Sequence, residues 1–134
     1  MPHVPNELLG RLVGMRLFSV EFVLDYVVVR FDDAADQAAL TCQAMPLVEL
    51  PARGPVRDGA PGYADALRSL VGYEVVGTAE ASGLGLRIGV GTGTIVINPS
   101  REELTGPEIA LLGGFADAAW MCWRPGEDCF TELG

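Results

Sequence analysis

The chain contains no lysine. Its nine cationic side chains are all arginine and stand against eighteen acids, giving a net charge of −9 over 134 residues. That balance argues against a nucleic-acid partner, because binding a polyanion needs a basic face. The missing lysine also excludes a Walker-type phosphate loop, which reaches the phosphates with that residue. There is one histidine, His3, close to a chain end that is expected to fray. A Ser-His-Asp or Cys-His arrangement therefore has no credible base. The three cysteines, Cys42, Cys122 and Cys129, lack zinc-ligand spacing, and no metal or cofactor is expected. Long apolar runs are missing as well. The most apolar stretch, Phe18 to Phe31, is broken by Glu21, Asp25 and Arg30, whereas a membrane span needs about 20 nearly uncharged residues. No basic segment followed by an apolar one opens the sequence, so the expected compartment is the cytoplasm, with reduced thiols.

What is present is ample apolar material. Hydrophobic residues make up 49% of the chain and mean hydropathy is +0.29, which excludes a disordered polymer. A chain of this length buries roughly two-thirds of its unfolded surface and needs no staple, so a single domain over 1–134 is expected. Arginine without lysine, together with heavy use of Ala, Gly, Val and Pro, fits the codon bias of a high-GC bacterium.

An internal repeat organises the expectation. Leu9-Gly10-Arg11-Leu12-Val13-Gly14 returns as Leu67-Arg68-Ser69-Leu70-Val71-Gly72, 58 residues later. Further on, Val27 to Phe31 aligns with Leu84 to Ile88, and Thr41 to Pro46 with Thr94 to Pro99. Each copy reads as a short helix, a glycine stop and three antiparallel strands. Asn6 is placed to cap the first helix, and Leu67, Leu70 and Val71 face inward on the second. Gly14 and Gly72 fall where a helix end needs a left-handed residue. Leu84, Leu86, Ile88 and Val90 alternate with glycines and Arg87, predicting a strand with one apolar face. Phe18, Val20 and Phe22 are expected to share a face in the first copy.

The resulting expectation is an α+β fold. Repeat 1 covers about 6–46, a Pro/Gly-rich linker with at most an edge strand at Leu47 to Leu50 covers 47–62, repeat 2 about 63–99, and a C-terminal helix and β-hairpin 104–134. Thr105-Gly106-Pro107-Glu108 has the form of a capping box that would start the last helix, with Gly113-Gly114 as its stop. Arg124-Pro125-Gly126-Glu127 would turn a hairpin that faces Cys122 with Cys129.

Few residues invite a functional reading. The glycines from Gly83 to Gly93 have neither the G-x-G-x-x-G register nor a following helix, so they read as a strand on which something packs closely. The carboxylate pairs Asp32-Asp33, Glu102-Glu103 and Glu127-Asp128 lie in expected turns and read as solvated acids. Arg30 and Arg87 are equivalent in the repeat alignment and both point away from the apolar face. They are candidate ligands for an anion or carboxylate between the repeats. Trp120, Met121, Trp123 and Phe130 crowd the C-terminal region. Trp120 and Trp123 are three apart and should face opposite ways in a strand, leaving one exposed as an anchor for a partner or a second copy.

Taken together, Leu12-Val13-Gly14, the strand pair after it, Leu70-Val71-Gly72, Gly106-Pro107-Glu108 and Trp123-Arg124-Pro125-Gly126-Glu127 resemble a family of small proteins of unknown function from high-GC bacteria, built on a duplicated meander. The resemblance spans about Leu9 to Phe130 and implies no activity, so it transfers no catalytic residue. The expected function is a non-enzymatic protein-interaction module, with an immunity or antitoxin role as one version. The alternative is a small-ligand binder or sensor near Arg30 and Arg87. An enzyme working with carboxylates and arginine ranks last, for lack of a base near neutrality.

Overall fold

The structure, a computed structural model, describes residues 3–133; residues 1, 2 and 134, which the single-domain expectation includes, lie outside the described residues. Ten strands account for most of the ordered backbone: β1 (Arg16–Val23), β2 (Tyr26–Asp32), β3 (Gln37–Cys42), β4 (Leu47–Leu50), β5 (Gly54–Val56), β6 (Val75–Ala81), β7 (Gly85–Val90), β8 (Gly93–Ile97), β9 (Ala110–Gly113) and β10 (Met121–Trp123). One α-helix, α1 (Tyr63–Arg68), and 3₁₀ turns at Leu9–Leu12, Arg101–Glu103 and Asp128–Leu133 complete the fold. Among the described residues no helix is long and apolar enough to cross a membrane.

All pairing is antiparallel, in two five-stranded sheets ordered β1-β2-β3-β9-β10 and β5-β4-β8-β7-β6. The two orders are equivalent. In each, a three-stranded meander is extended by a hairpin that the other half of the chain supplies: β4–β5 leaves β3 to pair with β8, and β9–β10 leaves β8 to pair with β3. The sheets also meet at their edges around an antiparallel bridge between Arg16 and Glu74. There the Gly14 N–H donates to the Val75 carbonyl at 2.9 Å and the Gly72 N–H to the Leu17 carbonyl at 2.7 Å. Leu17 N–H to Tyr73 O and Val75 N–H to Met15 O repeat the pattern at 2.9 and 2.8 Å. Gly14 and Gly72 are both left-handed, at φ 92° and 98°, which turns each chain from its helical segment into this seam.

The inward faces of both sheets build one core. Val27, Val29 and Phe31 alternate inward on β2, and Leu86, Ile88 and Val90 do so on β7, all fully buried. Trp123, Leu17, Leu40, Ile95, Ile97 and Ile109 are buried with them. Leu84, expected to share that face, lies in the turn before β7 and is half exposed.

The expected α+β class is therefore corrected to a mostly-β fold. What recurs is a five-stranded sheet, and the helical pieces are a 3₁₀ turn of 4 residues in one half and an α-helix of 6 in the other. Such short helices have almost no stability of their own; Leu9 and Leu12 of one, and Tyr63, Ala66 and Leu67 of the other, are buried in the common core. Segment 47–62, expected as a linker with at most an edge strand at Leu47 to Leu50, has that strand as β4, but inside the sheet between β5 and β8, because crossing to β8 lets Val48 and Val56 bury in the common core. The expected C-terminal helix is strand β9. Its backbone groups are satisfied by β3 on one side and β10 on the other, and sheet pairing of that kind outweighs a local cap. A capping box is indeed present, but at Ser100 and Glu103. The C-terminal hairpin does not form either. Cys122 pairs with Leu111 across β9, while Cys129 lies on the last 3₁₀ turn, so the two thiols are not strand partners. Asn6 makes no cap bond; it is itself left-handed, at φ 65°, and its side chain turns to Thr78.

Candidate functional site

A β-bulge sets where the outward side chains fall. In β1 the register shifts between Leu17 and Ser19, and in β6 it shifts between Val75 and Gly77. The bulge extrudes Phe18 and leaves Val20 and Phe22 on the core side, opposite Val29 and Val27. The hairpin turns fix which β2 and β7 residues correspond: Val23 faces Tyr26 across two turn residues, whereas Ala81 faces Gly85 across three. Leu17 pairs with Phe31 and Val75 with Val90, so Arg30 corresponds to Gly89 and Arg87 to Val28, two residues from the sequence alignment. Arg30 lies on the outer face of the first sheet, where its Nε donates to Glu21. Arg87 lies on the outer face of the second and donates to Glu49 at 2.7 Å. The core separates the two faces. The two arginines are thus not brought together, and each guanidinium is already paired with a carboxylate.

Glu80 on β6 is the one buried charged residue among the described residues, and its side chain is inaccessible to solvent. Three donors converge on it: the Asn6 backbone N–H reaches Oε1 at 2.8 Å, while Trp123 Nε1 and His3 Nε2 reach Oε2 at 2.9 and 2.6 Å. The Thr78 hydroxyl donates to the Asn6 side chain at 2.8 Å, and the His3 ring meets Trp123 edge-on at 6.2 Å between centroids. This network ties the N-terminal segment across β6 to β10, so His3 is held in place where fraying was expected. A buried carboxylate is tolerated only when its lone pairs are used in this way. The arrangement works as a lock. It is a poor nucleophilic site, because burial, and then the Glu80 charge, push the nearby Cys129 thiol up to about 12. At neutral pH that sulfur stays protonated. Cys42 is likewise pushed up to about 12, by burial alone.

The C-terminal aromatics divide sharply. Trp123 and Phe130 belong to the core, and Met121 is half-buried against it. Trp120, just before β10, is 66% exposed. It stands between two depressions. One, about 470 Å³, lies on the outer face of the first sheet over Ala39, Thr41, Leu111 and Gly113. The other, about 420 Å³, is walled by His3, Glu7, Leu8 and Arg11. Gly113 leaves the floor open beneath the indole, since a side chain there would begin 3.6 Å from the Trp120 Cβ. Arg11 caps the neighbouring Phe115 ring at 5.3 Å and pairs with Asp117 at 3.0 Å. The Ala119 N–H, and then Arg11, hold the Asp117 carboxyl below its ordinary range.

Sequence reasoning missed Glu80 altogether. A lone Glu in an alternating strand carries no sign of burial, and its partners lie 43 to 77 residues away. Among the described residues no group of three or more His, Cys, Asp or Glu is placed to hold a metal ion. Comparison with protein families, with characterised proteins and with solved structures finds no match.

Proposed function

We propose that the chain is a non-enzymatic protein-interaction module whose contact surface centres on Trp120. The observation that supports it is the contrast within one short segment: Trp123 is fully buried, yet Trp120 stands in solvent between two grooves. A large exposed aromatic between an apolar depression and a polar one is a usual form of interface anchor, since the indole offers an apolar body and a polar N–H. The site offers nothing comparable for chemistry, because its histidine is engaged with Glu80 and its nearest thiol is held protonated. Net charge −9 suits a protein partner better than nucleic acid. The three free cysteines suit a reducing compartment such as the cytoplasm. An immunity- or antitoxin-like chain, which neutralises a partner by covering it, is one form of this reading.

The test is capture from a high-GC bacterial lysate on immobilised wild type and on Trp120→Ala. A stoichiometric protein held by wild type and lost by the variant supports the proposal. Its binding should also blue-shift the Trp120 emission. No stoichiometric protein, or equal retention by both, overturns it.

A further inference from the structure

Leu24 combines two costs. It is fully exposed at the tip of the β1–β2 hairpin, and its backbone is left-handed at φ 45°. Glycine takes that position in a two-residue turn without strain. The matching β6–β7 turn uses Gly83 and Gly85, at φ 85° and 69°, so nothing in the hairpin geometry requires a leucine. An apolar side chain kept where folding gains nothing from it points to contact with something outside the chain.

The surroundings say what kind of thing. Leu24 and the half-exposed Phe22 line a groove of about 630 Å³ with Met45, at an end of the molecule formed by three loops. Its rim carries Asp25 from the hairpin, Asp58 from the turn after β5, and Glu102 and Glu103 from the 3₁₀ turn after β8. Arg57 stands 3.8 Å from Glu103, and Arg101 shares the 3₁₀ turn with the two glutamates, so four acids face two arginines at this end. We infer that this groove docks a basic segment of a partner protein, with an apolar side chain of that segment seated on Leu24 and Phe22 and its arginines or lysines facing the rim acids. Desolvated apolar contact supplies the grip, and charge complementarity supplies orientation and choice of partner. The inference rests on the interaction reading and adds the partner's chemistry. It shares no residue with the depressions beside Trp120, so the two can fail separately.

The test uses fluorescence anisotropy with three synthetic 12-residue peptides, alternating Arg/Leu, Arg/Ser and Glu/Leu. Each is titrated against the whole chain as wild type, Leu24→Gly, the double variant Asp58→Asn/Glu102→Gln, and Trp120→Ala. Wild type should bind only the Arg/Leu peptide, less tightly as salt rises. Leu24→Gly and the double variant should each bind it about tenfold more weakly or worse, whereas Trp120→Ala leaves it unchanged. Leu24→Gly should melt at or above the wild-type temperature, which separates lost contact from lost folding. The inference is overturned if the Arg/Ser peptide binds as tightly, if Leu24→Gly binds like wild type, or if no peptide binds. A wild-type dimer in sedimentation that Leu24→Gly dissociates would give the groove to a second copy and overturn the basic partner. Peptides that fail while Trp120→Ala still abolishes capture sink the groove and leave the Trp120 reading standing.

Discussion

Replacing Glu80 by Gln keeps the side chain's shape and removes its capacity to accept from every donor around it. Oε1 takes the Asn6 N–H, and Oε2 takes Trp123 Nε1 and His3 Nε2. An amide has one carbonyl oxygen and one NH₂. If the oxygen faces Trp123, the NH₂ meets the Asn6 N–H; if it faces Asn6, the NH₂ meets the indole N–H. Either way one buried donor is left without an acceptor, at about 1–3 kcal/mol. Losing the charge removes some desolvation cost, but the surviving bonds also fall from charge-assisted to neutral strength. The expected net loss is therefore about 1–3 kcal/mol, or a drop of roughly 1 M in the urea midpoint. Tryptophan emission reports the transition, because Trp123 passes from full burial to solvent while Trp120 is exposed throughout. Trp123→Phe deletes one of the same bonds, so the double variant should lose less than the sum of the singles; circular dichroism follows unfolding in the variants that lack the Trp123 reporter. A Glu80→Gln midpoint within about 0.5 kcal/mol of wild type, or strictly additive losses, would refute the account of Glu80 as a satisfied lock.

Other outcomes follow from the core and the turns. Leu86→Ala empties a fully buried position on β7 and should cost about 2–5 kcal/mol by urea denaturation; a loss under about 1 kcal/mol would place that strand outside the core. Gly85→Ala should cost at least about 2 kcal/mol in the same assay, because its φ is 69° and a Cβ would come within 2.2 Å of the Ile97 carbonyl oxygen; a neutral result would mean the β7–β8 approach is looser than described. Cys42 should resist iodoacetamide at pH 8 until the chain unfolds, when mass spectrometry finds it alkylated. Its folded pKa of about 12 lies above the ordinary 9.0, so its contribution to stability is complete below pH 9 and falls as pH rises toward 12. A urea midpoint that rises between pH 8 and pH 10 would contradict that sign.

Several features were legible because their causes are local. Val27, Val29 and Phe31, and Leu86, Ile88 and Val90, alternate apolar with other residues over enough positions to show a strand and its buried face. Gly14 and Gly72 mark left-handed turns that no side chain reaches cheaply. The lack of lysine and of a second histidine excludes whole classes of chemistry by composition alone. The rest had causes far away in the chain. Strands β5 and β9 have three and four residues, too few for a period to stand out, and the partners of β4 and β10 could not be read locally. β9 is a strand because β3 presents an unpaired edge to it, as β8 does to β4, and β10 and β5 then close on β9 and β4 as hairpin partners. Those edges exist only once both meanders have formed. The β6–β7 turn is one residue longer than the β1–β2 turn, whereas aligning Arg30 with Arg87 requires one residue fewer, so the Arg30 correspondence moves by two. Local pattern determined the strands of the two meanders and the turns at their seam. Which half supplies each added hairpin, that Glu80 is buried, and that Trp120 rather than Trp123 faces solvent were decided by contacts between segments distant in sequence, where hydrogen-bond satisfaction and shared burial outweigh local preference.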